Sequence, residues 1–296
     1  MSLILGTVQF GADYGVTNTS GQCSPEEMTA ILDQAVELGV KLLDTAPEYG
    51  NAESLLGQYL PSRPTLDVIT KVGRLDPSLS LDTALIRKFV RTGFGRSLEH
   101  LKRTSVYGLL VHHVDDFLGE SGAHIYAELE QLKKDGRIRK IGASVYDGEQ
   151  IDRLLERYSI DLVQLPLNVF DQRLVRSGHL EKLKVAGVEV HARSVFLQGI
   201  LAETGDHVPE LLLRHKSGIL DYRRAIAKRG MMPVPAALGF VGSISQIDSP
   251  VVGVTSSAEL VEVFNALNNP EANDFAYSHF EAQNIELIDP RRWSDH

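Results

Sequence analysis

Four polar residues stand where short apolar runs end. Asp44 closes Val40-Lys41-Leu42-Leu43, Lys71 closes Val68-Ile69-Thr70 and His112 closes Leu109-Leu110-Val111, with Tyr49 five residues beyond Asp44. A carboxylate, an amine, an imidazole and a phenol at strand exits are costly to bury unless they pair with one another. Together they make a proton relay. A phenol is a poor acid near neutrality, with a pKa of about 10. An ammonium beside it favours the phenolate and lowers that value, and a carboxylate on the amine keeps it charged and aimed. Such a trio can give a proton to a carbonyl oxygen as hydride reaches the carbon, while the imidazole orients and polarises the same oxygen. Run backwards, the set oxidises an alcohol.

Bringing these groups together requires strands that share one end. Eight apolar runs read as strands buried on both faces: 4–8, 41–45, 68–72, 107–111, 140–144, 162–167, 188–193 and 251–254. Amphipathic helices lie between them. Ser24-Pro25-Glu26-Glu27 reads as a helix cap, and Met28, Ile31, Leu32 and Ala35 mark the buried stripe behind it. Gly93 and Gly95 fall inside a longer helix and are expected to break or kink it. Strand and helix alternating eight times imply parallel strands with right-handed crossovers. The fold class is therefore α/β, a (β/α)8 TIM barrel, taken as one domain over residues 1–296. A doubly wound open sheet is the alternative, weakened by the missing Gly-x-Gly-x-x-Gly after the first strand. In a barrel the strand C-terminal ends carry the active site, where Asp44, Lys71 and His112 would meet.

Composition bounds the partners. The 296 residues are 43% hydrophobic and carry a net charge of −9, which argues against nucleic acid or an anionic membrane as the main partner. Cys23 is the only cysteine, so an internal disulfide is impossible and a reducing cytoplasm fits. No secretion signal or membrane-spanning run is evident. A cluster of cationic residues (Arg214, Lys216, Arg223, Arg224, Lys228, Arg229) reads as a solvated helix face.

The motifs Asp-Thr-Ala-Pro-Glu-Tyr-Gly-Asn-Ala-Glu, Ile-Thr-Lys and Leu-Leu-Val-His occur in one order between Leu5-Gly6-Thr7-Val8-Gln9-Phe10-Gly11 and Arg137-Ile138-Arg139-Lys140-Ile141-Gly142-Ala143-Ser144. With them the chain resembles the aldo-keto reductase superfamily from about Leu5 to about Leu267. The resemblance implies a catalytic tetrad in which Tyr49 is the general acid/base, Lys71 its activator and Asp44 the anchor of Lys71. His112 would orient the carbonyl; His113 is its rival, but strand alternation points neighbours opposite ways.

The same resemblance implies NADPH or NADH across the barrel mouth. Ser144 and Gln164 would hold the nicotinamide amide, with Thr7, Arg193, Ser194 and Phe196 nearby. Arg193 stands where many relatives have a stacking tyrosine; its guanidinium can lie against a ring or orient an anionic substrate. Gly253, Thr255, Ser256 and Glu259 would meet the adenosine end at a helix N-terminus, although Ser256 and Glu259 equally read as a capping box. Glu259 would repel a 2′-phosphate yet accept from a ribose 2′-hydroxyl, so NADPH and NADH stay open with a slight lean to NADH.

Phe10, Tyr14, Pro47 and His113 are the candidate substrate-pocket residues, for a small carbonyl or alcohol compound such as a sugar or hydroxy-aldehyde. Other classes remain: a nucleotide-binding sensor with little turnover, a Schiff-base aldolase on Lys71, or a metal hydrolase. The last is disfavoured because adjacent His112 and His113 cannot easily face one metal, and no metal site is expected.

Overall fold

Eight parallel strands close into a barrel in chain order in a computed structural model that describes residues 1–76, 82–268 and 275–293. They are β1 (Ile4–Gly6), β2 (Leu42–Asp44), β3 (Asp67–Val72), β4 (Val106–Val111), β5 (Ile138–Ser144), β6 (Leu162–Pro166), β7 (Glu189–Arg193) and β8 (Ser249–Gly253). Each pairs in parallel with its neighbours, and β8 closes the ring on β1 with Gly6 opposite Gly253. All eight expected strands are present. The first is shorter than expected, because Val8–Gly11 turns into a helix.

The barrel has two apolar layers. Ile4, Ile69, Leu110 and Leu162 form a buried cluster of their own, with Leu42 and Val251 packed on it. All six are strand residues, so this is the plug inside the barrel. Their chain neighbours Leu5, Leu43, Val68, Leu109, Val163 and Val252 belong instead to the large shell between strands and helices. Successive strand side chains alternate faces. Two residues beyond the plug, the chain therefore presents Gly6, Asp44, Lys71, His112, Gln164 and Gly253 on the inner face. A polar layer on an apolar floor follows from parity alone.

Helices cover the outside. In Pro25–Glu37 the Ser24 hydroxyl accepts the Glu27 N–H at 3.1 Å, Pro25 opens the helix, and Met28, Ile31, Leu32 and Ala35 are buried. Thr83–Leu101 runs unbroken. The kink expected at Gly93 and Gly95 is absent because both face open space, with nothing within 4 Å of a Cβ added there. A glycine on an exposed face costs about 1 kcal/mol against alanine, less than the packing of the opposite face returns. The basic cluster around Lys216–Lys228 is not a uniformly solvated face either. Arg223 is buried and donates to the carbonyls of Ile200 at 3.0 Å, Gly205 at 3.1 Å and His207 at 2.6 Å, which ties down the loop after β7. No helix among the described residues is long and apolar enough to cross a membrane.

Candidate active site

A cavity of about 670 Å³ opens above the polar layer, within the size range of ligand clefts. It runs from Tyr49, Lys71 and His112 to Thr255 and Glu259, and is bordered by the loops after β1 and β7. The two loops meet at Thr17 and Gly199, where a Cβ on Gly199 would lie 1.8 Å from the Thr17 hydroxyl. Ser194, Leu197 and Gln198 all hold positive φ, at 59°, 46° and 54°. Such backbone is costly for residues other than glycine and clusters at functional loops.

Lys71 is the hub. Its ammonium, fully enclosed, donates to Asp44 Oδ2 at 2.8 Å, to the Thr45 carbonyl at 2.9 Å and to the Tyr49 hydroxyl at 3.3 Å. The second Asp44 oxygen accepts from Gln164 Nε2 at 2.5 Å, so the carboxylate has no free side. Burial pulls the Lys71 pKa down, but Asp44 and the Tyr49 oxygen push it up and prevail, so the amine stays charged. For Tyr49 the balance runs against the sequence expectation. Burial raises the phenol, Lys71 lowers it, Asp44 raises it again, and the net shift is upward. Asp44 neutralises much of the ammonium that was to acidify the phenol, and desolvation decides the sign.

Two glycines hold the Tyr49 turn against the β1 exit. A Cβ on Gly11 would lie 1.9 Å from the Tyr49 carbonyl oxygen, and one on Gly50, at φ 57°, would lie 2.1 Å from the Gly11 oxygen. Only bare backbone permits this approach.

His112 packs edge-on to Tyr49, with ring centroids 5.9 Å apart. Burial and then Lys71 lower its pKa to about 4, so the ring is neutral near pH 7. Its Nδ1 lies 3.1 Å from Glu48 Oε2, within ion-pair range but misaligned, since the buried Nδ1 makes no hydrogen bond. His113 does not point the opposite way. The last ladder bond is the His112 N–H on the Val72 carbonyl at 3.1 Å, so alternation carries to His112 and stops there, and His113 Nε2 reaches the same Glu48 carboxylate at 2.9 Å. The ligand atoms of Glu48, His112 and His113 lie within 4.8 Å of one another. Contrary to the expectation from alternation, the two histidines can face one cation.

The remaining predicted residues divide. Thr7, Tyr14, Ser144, Arg193, Ser194, Phe196, Gly253, Thr255 and Glu259 line the cavity. Thr7 also fastens the end of β2, its hydroxyl donating to the Asp44 carbonyl at 2.9 Å. Gln164 does not line the cavity; its amide is spent on Asp44. Phe10, expected at the pocket, is wholly buried in the core, because the turn into a helix at Val8 rotates it away. Pro47 is exposed outside the cavity, and His113 belongs to the Glu48 cluster. Ser256 caps the helix Ser257–Leu267 by accepting the Glu259 N–H at 3.2 Å. Glu259 accepts from Thr255 N at 2.7 Å, and Glu27 accepts from Ser257 N at 2.6 Å. Two carboxylates thus occupy N–H groups where an anion was expected. Their field, after burial, raises Cys23 to about 11.

Sequence reasoning passed over Gln9 and Tyr146. Gln9 lines the cavity with a buried Oε1 that has no partner, 2.2 Å from where a Cβ on Gly253 would sit. Its place in the quoted first-strand motif was the available signal. Tyr146 carries the Arg193 guanidinium on its ring at 4.3 Å, and its position just past β5 was the clue.

A closed parallel barrel with a polar cleft at its strand C-terminal ends defines a (β/α)8 enzyme. Residues 2–283 match the model of the Aldo/keto reductase family, and the chain belongs to that family. It is an NAD(P)H-dependent oxidoreductase. It is 26% identical to an NADH-specific methylglyoxal reductase of Escherichia coli K12, over 79% of this chain and 81% of that one. It is 25% identical to an L-glyceraldehyde 3-phosphate reductase of Escherichia coli O157:H7, over 82% and 80%. The fold is that of an aldo-keto reductase from Bacillus halodurans in its holo form, with a TM-score of 0.76, 20% identity and coverage of 98% of this chain and 95% of that one.

Proposed function

We propose that Tyr49 is the proton donor in the reduction of a small aldehyde or ketone, and the acceptor in the reverse reaction. The observation that carries this reading is the Lys71–Tyr49 contact at 3.3 Å, with Lys71 fixed by Asp44. Lys71 donates into the phenol oxygen, so the phenol's own hydrogen is free to point into the cavity. Once that proton leaves, the same ammonium faces a phenolate and stabilises it. His112, neutral at physiological pH, can donate one N–H to the carbonyl oxygen. The plug of Ile4, Ile69, Leu110 and Leu162 is buried beneath the set and keeps water from its back.

The residues fit a nicotinamide nucleotide. The unpartnered Gln9 Oε1, packed against Gly253 at the mouth of the barrel, calls for a donor. Thr7, Gln9, Ser144, Ser194 and Thr255 would hold it, and when bound it supplies hydride. Glu27 and Glu259 at the far end disfavour a 2′-phosphate, which supports NADH over NADPH. The NADH specificity of the E. coli methylglyoxal reductase leans the same way.

The test is a turnover screen of methylglyoxal, glyceraldehyde and short aldoses with each nucleotide, read by nicotinamide absorbance. Reduction with NADH at a kcat/KM at least about tenfold above NADPH is expected. Exclusive use of NADPH would remove the nucleotide assignment, and no turnover in a protein that binds nucleotide would favour the sensor.

A further inference from the structure

Arg193 is the one cavity-lining cation whose contacts among the described residues include no carboxylate. Lys71, the other cation of the cavity, is matched by Asp44 at 2.8 Å. The Arg193 guanidinium instead donates to the Val145 carbonyl at 3.2 Å, touches the Ser194 hydroxyl at 3.5 Å and lies over the Tyr146 ring at 4.3 Å. Its Nε is buried without any partner. A half-buried cation with donors to spare is costly unless something anionic completes it.

The group is also held still. Arg291 covers the Tyr146 ring at 3.4 Å, and Asp289 grips Arg291 through two bonds of 2.8 and 2.7 Å. The Tyr146 ring therefore carries two guanidiniums, one neutralised by Asp289 and one unmatched. Ordering the planar fork in advance removes the entropy that a flexible arginine would lose on binding. Arg193 ends β7 and lines the same cavity as Tyr49 and His112. Its charge reaches the reacting phenol, where it opposes the upward push of burial. Of the acids that share the cavity, Asp44 is held by Lys71 and Gln164, and Glu203, Glu259 and Glu262 belong to the loop after β7 and the helix after β8.

We propose that Arg193 determines specificity by receiving an anionic oxygen group, carboxylate or phosphate, on the substrate whose carbonyl meets Tyr49. The substrate class is then a short oxo-acid or a phosphorylated hydroxy-aldehyde. This rests on the reading of Tyr49 as proton donor and goes further by naming what the rest of the substrate carries.

The experiment measures kcat/KM of wild type, Arg193→Gln and Arg193→Lys on glyoxylate, glyceraldehyde 3-phosphate and neutral methylglyoxal. Nucleotide Kd is read by quenching of protein fluorescence. Loss of a charge-assisted fork should cost about 100-fold in kcat/KM on the favoured anionic compound, mostly through KM, and less than about 3-fold on methylglyoxal. Arg193→Lys should recover about 10-fold, and nucleotide Kd should stay within about 2-fold. Whichever anionic compound depends on Arg193 identifies the group as carboxylate or phosphate. Equal losses on all three compounds, or a large change in nucleotide Kd, would overturn the inference by assigning Arg193 to the nucleotide or to the fold. If wild type reduces methylglyoxal but neither anionic compound, the inference falls and the reductase reading stands. If it reduces none of the three, the reductase reading falls as well.

Discussion

Replacing Tyr49 with phenylalanine separates catalysis from stability, and the hydrogen bonds around Lys71 say by how much. The substitution removes one oxygen. Lys71 keeps Asp44 at 2.8 Å and the Thr45 carbonyl at 2.9 Å, and loses only its longest bond, at 3.3 Å. The buried charge stays paired, so the cost is about 1 kcal/mol or less, a shift of roughly 2 °C in Tm. Losing the proton donor should lower kcat by about 10² to 10⁴, or roughly 3 to 5 kcal/mol of barrier. Lys71→Met is the counterpart. It leaves the Asp44 carboxylate, 4% exposed, without its cation. Truncating one member of a buried pair costs about 3–5 kcal/mol, although the Gln164 bond to the other oxygen favours the lower end. The assays are nicotinamide absorbance for turnover, fluorescence titration for nucleotide affinity and thermal or urea unfolding for stability. The expected pattern is a nearly inactive, well-folded Tyr49→Phe with normal nucleotide Kd, and a visibly destabilised Lys71→Met. Tyr49→Phe retaining more than about a tenth of kcat would refute the proton-donor assignment. Tyr49→Phe melting as low as Lys71→Met would refute the view that Asp44 holds the lysine without help from the phenol.

Three further outcomes follow from the same geometry. A phenol raised above its ordinary pKa is protonated through neutral pH, and His112, lowered to about 4, is uncharged there. Reduction should be flat from about pH 5 to about pH 9, while oxidation, which needs the phenolate, should climb toward pH 10 and beyond; an alkaline loss of reduction centred near pH 7 would mean that Lys71 outweighs burial. Gly11→Ala drives a methyl group into the Tyr49 carbonyl, 1.9 Å away, so it should displace the turn, cost about 1–3 kcal/mol in an unfolding titration and reduce kcat. Normal turnover would show that the turn tolerates displacement. Glu259→Arg exchanges a carboxylate for a cation at the β8 end of the cavity and should lower the KM for NADPH by about tenfold while raising Tm by nothing, since the Thr255 contacts of Glu259 are lost. An unchanged ratio of NADPH to NADH efficiency would move the adenosine end elsewhere.

Local pattern carried the frame of this protein, because the cause of each element is local. Period-two alternation in the runs ending at Asp44, Lys71 and His112 places those residues one step above the apolar plug, and parity needs no tertiary information. The Ser24 cap reads correctly for the same reason, its hydroxyl accepting from a backbone N–H three residues on. Where a strand stops, that rule stops, which is why His113 turned out beside His112 on one carboxylate and why Phe10 entered the core. The quantities that set the chemistry were decided by residues far apart in the chain. Gln164 is 120 positions from the Asp44 it grips, and Arg193 is 48 from the Val145 carbonyl that orients it. The sign of the Tyr49 shift depends on how much solvent the closed barrel removes and on how fully Asp44 cancels Lys71. Those are sums over three-dimensional distance and burial, and periodicity along a chain carries neither.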